Sequence, residues 1–129
     1  MKKIINTTNA PAAIGPYSQA TVHNGTIYVS GQLPIDPTTG EIVAGDISVQ
    51  THRAMKNLQA IIEAGGGKME GILKATILLT DMADFAAVNE VYANYFPAPV
   101  APPARICYQV VALPKGAAVE IDAIAVCVE

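Results

Sequence analysis

The hydrophobic period of this chain changes at Asp46, and that change limits the folds open to it. Before it, "QATVHNGTIYVSGQ" holds two β-rich runs around Asn24-Gly25, the pair that suits a two-residue hairpin turn. After it, Ile47, Thr51, Ala54, Leu58, Ile61 and Ile62 recur at steps of three and four, with Arg53, Lys56, Asn57 and Glu63 off that stripe. This spacing predicts a helix with one apolar face, capped near Asp46 or Ser48 and stopped by Gly65-Gly66-Gly67. "ILKATILLTD" then has the length and apolar content of a strand.

A second helix is predicted in "DFAAVNEVYANYF", where Phe85, Val88, Val91, Tyr92, Tyr95 and Phe96 share a face. Asp84 is its expected N-cap and Pro97 its end. "KKIINT" reads as a short first strand, followed by the loop "TNAPAAIGPYSQ". "PIDPTTGE" is a turn punctuated by Pro37 and Gly40. Two further strands, at about 105–111 and 118–128, are joined by "ALPKGAA". The order β-β-β-α-β-α-β-β predicts an α+β design, one mixed β-sheet with two helices on one face, in a single domain spanning 1–129. The other face must then meet water or a partner.

Composition bears on that choice. Only 15% of the residues are charged and 51% are hydrophobic, against about 25% charged in an ordinary soluble domain. A small chain so poor in charge has surface to hide, and self-association follows. A net charge of −3 argues against a nucleic-acid partner held through phosphates. No apolar run approaches the roughly 18 residues of a membrane span, and "MKKIINTTNAP" lacks the apolar core of a signal peptide. The expectation is a cytoplasmic protein without a membrane partner. Cys107 and Cys127 lie outside any CxxC or Cys/His spacing, which makes them free thiols and implies no metal.

Alternation in the last two strands sets Arg105, Cys107 and Gln109 on one side and Ile106, Tyr108 and Val110 on the other. If these strands form a hairpin, Gln109 lies opposite Glu120 and Arg105 opposite Ile124. Arg105, Cys107, Gln109, Glu120 and Asp122 then share the face away from the helices, with Ile106 toward the core. In that register Arg105 and Glu120 are about 13 Å apart at ~3.3 Å per residue. One chain leaves them too far apart for a small substrate, whereas two chains meeting across the face bring them together.

The blocks "APAAIGPYSQA", "IYVSGQLPIDPTTGEI", "TDMADFAAVNEVYANYF" and "PARICYQVVALPKGAAVEIDAIAV" resemble, end to end, the RidA (YjgF) family of reactive-intermediate imine deaminases. Ile106, where such proteins usually carry a small residue such as Ser, is a departure, and "PAPVAPPA" is richer in proline than usual. The resemblance implies a chorismate-mutase-like fold assembled as a homotrimer with clefts between subunits. It implies hydrolysis of 2-imino acids, released by pyridoxal-phosphate-dependent dehydratases, to 2-keto acids and ammonia, with no cofactor. Carried onto this chain, the substrate-carboxylate arginine falls on Arg105 and the water-handling glutamate on Glu120. Pocket positions fall on Tyr17, Ser30, Gly31, Asn89 and Cys107.

The chemistry suits those residue types. Arginine grips a carboxylate through two parallel N–H bonds, which lysine does not copy, and a glutamate can orient and deprotonate water. Taken singly, the same residues have plainer readings: Arg105 and Glu120 as surface charges, Tyr17 as a loop anchor and Cys127 as a small buried hydrophobe. Cys107 is no nucleophile, because no histidine is spaced to activate it. His23 and His52 form no catalytic pair, and the glycine triplet ends a helix instead of opening one, unlike a phosphate loop. Two rival functions remain: a non-catalytic trimer that binds small carboxylates for regulation, and a ribonuclease or translation inhibitor, which the acidic composition disfavours.

Overall fold

The structure is a computed structural model that describes residues 1–128. Its strands are β1 (Lys3–Ile5), β2 (Ala20–His23), β3 (Thr26–Gln32), β4 (Gly67–Leu79), β5 (Ala104–Gln109) and β6 (Val119–Cys127). Helix α1 (Ile47–Ala64) lies between β3 and β4, and α2 (Phe85–Ala93) between β4 and β5. The strands form one mixed sheet in the order β1-β2-β3-β6-β4-β5. Asn24 and Gly25 turn β2 into β3 with positive φ values of 49° and 76°, the geometry the hairpin reading expects.

Helix α1 starts as its sequence predicts: the Asp46 carboxylate accepts from the Val49 N–H at 3.0 Å, and Gly65 closes the far end. Ala54, Met55, Leu58, Ile61 and Ile62 are buried against the sheet, where they meet Ile27, Ile77 and Ile121. Each of the larger ones, Met55 and the Leu and Ile side chains, contributes about 1.5–3 kcal/mol. Helix α2 adds Val88 and Tyr92, with Phe96 just beyond it, to the same cluster. Both helices therefore cover one face of the sheet.

Four expectations need correction. Asp84 makes no capping bond; Asp81 instead accepts from Ala83 N at 2.9 Å, and a short 3₁₀ turn (Met82–Asp84) leads into α2. Strand β4 begins at Gly67, so the glycine triplet both ends a helix and opens a strand. Asn57, off the apolar stripe, is nevertheless wholly buried.

The fourth correction is the largest. Strands β5 and β6 are not a hairpin: β4 lies between them, parallel to β5 and antiparallel to β6. The α2 crossover permits the parallel pairing, which a tight turn does not. Burial explains the order. Val119, Ile121, Ala123 and Ala125 of β6 are all buried under the helices, as a central strand requires. The matching side of β5 offers Arg105, Cys107 and Gln109, too polar for the centre, and β5 takes the sheet edge.

Two buried amides tie the loops to this frame. Asn57 Nδ2 donates to the carbonyls of Leu33 and Ile35 at 3.0 and 2.8 Å, while its Oδ1 accepts from Arg53. Gln19 holds the 7–11 loop, accepting from Thr7 N at 2.7 Å and donating to Thr7 O and Pro11 O. Removing the Asn57 amide leaves the Ile35 carbonyl without its side-chain partner, the Leu33 carbonyl with the Ile35 N–H alone, and Arg53 without its acceptor. Asn57→Ala is expected to lower unfolding stability by about 2–4 kcal/mol, read as a drop in urea midpoint at constant m-value. A midpoint at the wild-type position would refute this anchoring role.

Candidate functional site

The candidate residues divide between two walls on opposite faces of the sheet. In the β4–β5 register Ala75, Ile77 and Leu79 pair with Arg105, Cys107 and Gln109, and the first three are buried on the helix side. Arg105 and Cys107 accordingly point toward the helices, and Gln109 accepts from Met82 N at 2.9 Å. Ile106 and Tyr108 take the open face, 45% and 50% exposed, beside Thr76 and Leu78. The expectations that Arg105, Cys107 and Gln109 share a face with Glu120, and that Ile106 packs in the core, are both overturned by this register. Glu120 and Asp122 do share the open face, opposite Leu78 and Thr76, and Thr76 N donates to Asp122 Oδ1 at 3.0 Å.

The Glu120 wall is made by an irregularity in β3. Val29 pairs with Ala123 but Gln32 with Ile121, so one extra residue is inserted at Ser30-Gly31. Such a bulge re-aims side chains beside a site, and a glycine inside a strand run is its only trace in the sequence. Ser30 uses the displacement to hold the preceding loop: its hydroxyl donates to Ser18 O at 2.6 Å and its N–H to Gln19 O at 2.9 Å. Gly31 lies directly under Glu120; a Cβ there would stand 2.8 Å from the carboxyl carbon. The requirement is closeness, because only the absence of a side chain lets the carboxylate lie on this backbone.

A cleft of about 640 Å³ opens over that bulge, and Tyr17, Ser30, Gly31 and Glu120 all line it. Its remaining walls are mainly apolar, including Ile14, Leu33 and Ile35. Leu33 and Ile35 are the residues whose carbonyls Asn57 holds, so α1 positions the cleft floor through one amide. Burial raises the Glu120 carboxyl above the ordinary carboxylate range, and the neighbouring Asp122 charge adds to the shift.

The second wall belongs to β5 and α2. Arg105 Nη1 donates to Asn89 Oδ1 at 2.6 Å, and Arg105 borders a hollow of about 400 Å³ with Asn89, Tyr92, Phe96, Pro102 and Pro103. The proline-rich lead-in thus builds the rim beside the guanidinium. Cys107 is half-buried, and burial pushes its thiol up despite the nearby Arg105 charge, which leaves it protonated and unsuited to nucleophilic attack. Arg105 and Glu120 are separated by two strand spacings, ~10 Å, and by the thickness of the sheet. Among the described residues Lys68–Glu70 is the one ion pair, so neither Arg105 nor Glu120 has a counter-ion.

Sequence reasoning missed Gln19 and Asn57, which shape the first wall, and Phe85 and Tyr92, whose rings pack on Arg105. The amides carry no local signal, since their partners lie up to 24 residues away. The rings do: they sit at four- and three-residue steps from Asn89 on one helical face.

A mixed sheet roofed on one side by two helices, with a carboxylate at a bulged strand and an arginine at the opposite edge, defines an α+β protein of the Rid type. The chain belongs to the endoribonuclease L-PSP (YjgF/RidA) family, whose model matches residues 7–127. It is 51% identical to the 2-iminobutanoate/2-iminopropanoate deaminase of Mus musculus over 126 residues, 98% of this chain and 92% of that one. A crystal structure of a putative endoribonuclease from Thermotoga maritima superposes with a TM-score of 0.94 at 48% identity, covering 100% of both chains. Escherichia coli TdcF with bound serine superposes at 0.92 and 44% identity, covering 98% of this chain and 99% of that one.

The contact between Gly31 and Glu120 is testable directly. Gly31→Ala is expected to push the carboxylate off the backbone into water, lowering its raised pKa toward the ordinary glutamate range. Carboxyl-carbon NMR titration reads that midpoint; no movement would show that burial over Gly31 does not set it.

Proposed function

We propose that this protein is an imine deaminase, hydrolysing 2-imino acids such as 2-iminopropanoate and 2-iminobutanoate, and their enamine tautomers, to 2-keto acids and ammonia. The observation that carries the reading is a guanidinium and a desolvated carboxylate in one chain, neither with a counter-ion among the described residues, each bordering a hollow. The mouse relative's name and near-complete coverage supply the reaction class. TdcF, whose structure holds serine, supports a small amino-acid-like ligand.

The protonated imine carbon is already electrophilic, so neither a covalent nucleophile nor a metal is required. In this reading Arg105 binds the substrate carboxylate, and Glu120 as carboxylate takes a proton from water as its oxygen bonds to C2. That gives a carbinolamine, with the C=N π pair moved onto nitrogen. Glu120 then returns its proton to the amine and, as carboxylate again, takes the hydroxyl proton as the C2–N bond breaks, so that ammonia leaves with that bonding pair and the keto group forms. Holding water and imine in register is a large part of such a rate gain. Gly31 and Ser30 shape the water side, Tyr17 is a wall or lid, and Asn89 and the Cys107 main chain lie on the carboxylate side.

Because the two walls face opposite sides of one sheet, the working cleft in this proposal lies between subunits. The β5 edge of one meets the Glu120 cleft of its neighbour in a homotrimer. The open sheet face supports association: Ile4, Tyr28, Ile106, Tyr108 and Val126 are exposed there. No helix among the described residues is long and apolar enough to cross a membrane. We place the protein in the cytoplasm, alongside the dehydratases that release such imines, with no nucleic-acid partner.

Arg105→Ala is expected to cut ammonia release roughly 10²-fold or more, measured in a coupled assay with a serine or threonine dehydratase. Its sedimentation should remain at three times the 13.5 kDa chain mass. An unchanged rate removes Arg105 from the reaction. The Glu120 pKa gives a second expectation. Water activation needs the ionised form, so activity falls as pH drops through a value above the ordinary carboxylate range. Glu120→Gln loses that acid limb together with roughly 10²-fold or more of the rate. Full turnover in Glu120→Gln, with pyruvate still bound, would instead mark a carboxylate-binding regulatory trimer.

A further inference from the structure

Arg105 is surrounded by groups that hold it without neutralising it. Its Nη1 donates to Asn89 Oδ1 at 2.6 Å. Its Cζ stands 5.6 Å from the centroid of the Phe85 ring and 5.1 Å from that of Tyr92. All three partners come from α2, at positions 85, 89 and 92, which share one helical face. Asp84 and Glu90, the acidic residues nearest them in sequence, make no ion pair with Arg105 among the described residues. Tyr92 brings no charge either: burial pushes its phenol up to about 12, and its hydroxyl is buried without a partner.

We infer that α2 is a charge-sparing cradle in which Phe85, Asn89 and Tyr92 are positioning residues that aim Arg105 at an anionic ligand. The inference rests on the imine-deaminase reading and explains how that reading's arginine stays available. A glutamate at position 89 or 92 would orient a guanidinium equally well, but every substrate carboxylate would then compete with it. Aromatic faces attract the cation through their quadrupoles, and an amide oxygen accepts one N–H, so both fix direction while leaving the net charge in place. Asn89 occupies only Nη1. Nε and Nη2 make no hydrogen bond among the described residues, and that edge is one of the two forks that receive a carboxylate through parallel bonds. Asn89, assigned above to the substrate pocket, thus acts through Arg105.

The test separates charge from packing. Asn89→Asp keeps the shape and the accepting oxygen but adds a negative charge. With the thermal midpoint retained, pyruvate binding by calorimetry is expected to weaken, and KM for the imine to rise, at least 10-fold, with kcat changed less. Tyr92→Leu keeps the burial but removes the ring; KM is expected to rise about 3- to 10-fold, and the conservative Tyr92→Phe to recover it. If Asn89→Asp binds pyruvate as tightly as wild type, or Tyr92→Leu matches Tyr92→Phe, the cradle is wrong. Should Asn89→Asp fail to fold, the Leu/Phe pair decides alone. Arg105→Ala in the same calorimetry distinguishes the two levels. Lost pyruvate binding there with intact binding in Asn89→Asp overturns the cradle only, whereas intact binding in Arg105→Ala overturns the deaminase reading as well.

Discussion

Among the described residues Arg105 meets two aromatic faces and one amide oxygen and no carboxylate, an arrangement that holds the guanidinium without cancelling its charge. An unpaired guanidinium in a half-buried place is costly, and cation–π contacts of about 0.5–2 kcal/mol each offset part of that cost without cancelling the charge. The position of β5 follows from the same constraint. A strand presenting Arg105 and Cys107 to the helices does not belong in the middle of the sheet, and at the edge the arginine stands beside the α2 residues that hold it. Edge strand, helix face and charge are parts of one arrangement.

The carboxylate wall is built by other means. A one-residue bulge lifts Ser30-Gly31 out of register, and Glu120 lies against the glycine in the gap. The loops around it are irregular, with Ala10 and Ile35 as their buried apolar contacts. Gln19 and Asn57 hold them through buried hydrogen bonds worth about 0.5–1.5 kcal/mol each. Breaking such a bond from one side leaves an unsatisfied buried group, which costs more than the bond contributed. That asymmetry gives a small chain a well-defined cleft.

The two walls are related by the pleat. Side chains alternate along a strand, and Arg105 and Glu120 fall on opposite sides, with β4 between their strands. No rotamer change within one chain brings them together. In the proposed assembly a cleft between subunits and an apolar open face go together, because the face that exposes Tyr28, Ile106 and Tyr108 is also the face that carries Glu120.

How much of this was legible beforehand depends on how local the signal is. Helix α1 with its Asp46 cap, the Asn24-Gly25 hairpin and the inventory of strands could be read directly, because period and turn chemistry act within a few residues. The family blocks singled out Arg105 and Glu120 as candidates, though not which way they point. The hairpin reading of the last two strands failed because alternation reports which residues share a side and is silent on which strand is the neighbour. Pairing was decided by competition for the centre of the sheet, won by Val119, Ile121, Ala123 and Ala125 over a β5 whose helix side flanks Cys107 with the polar Arg105 and Gln109. Asn57 escaped for the same reason: a polar residue off an apolar stripe looks exposed until distant carbonyls arrive to satisfy it. By itself the sequence determined the elements and the chemistry its side chains can perform. Their order in the sheet, and hence the placing of the candidate residues Arg105 and Glu120 on two faces, came only from tertiary packing, because burial is settled among all the strands at once.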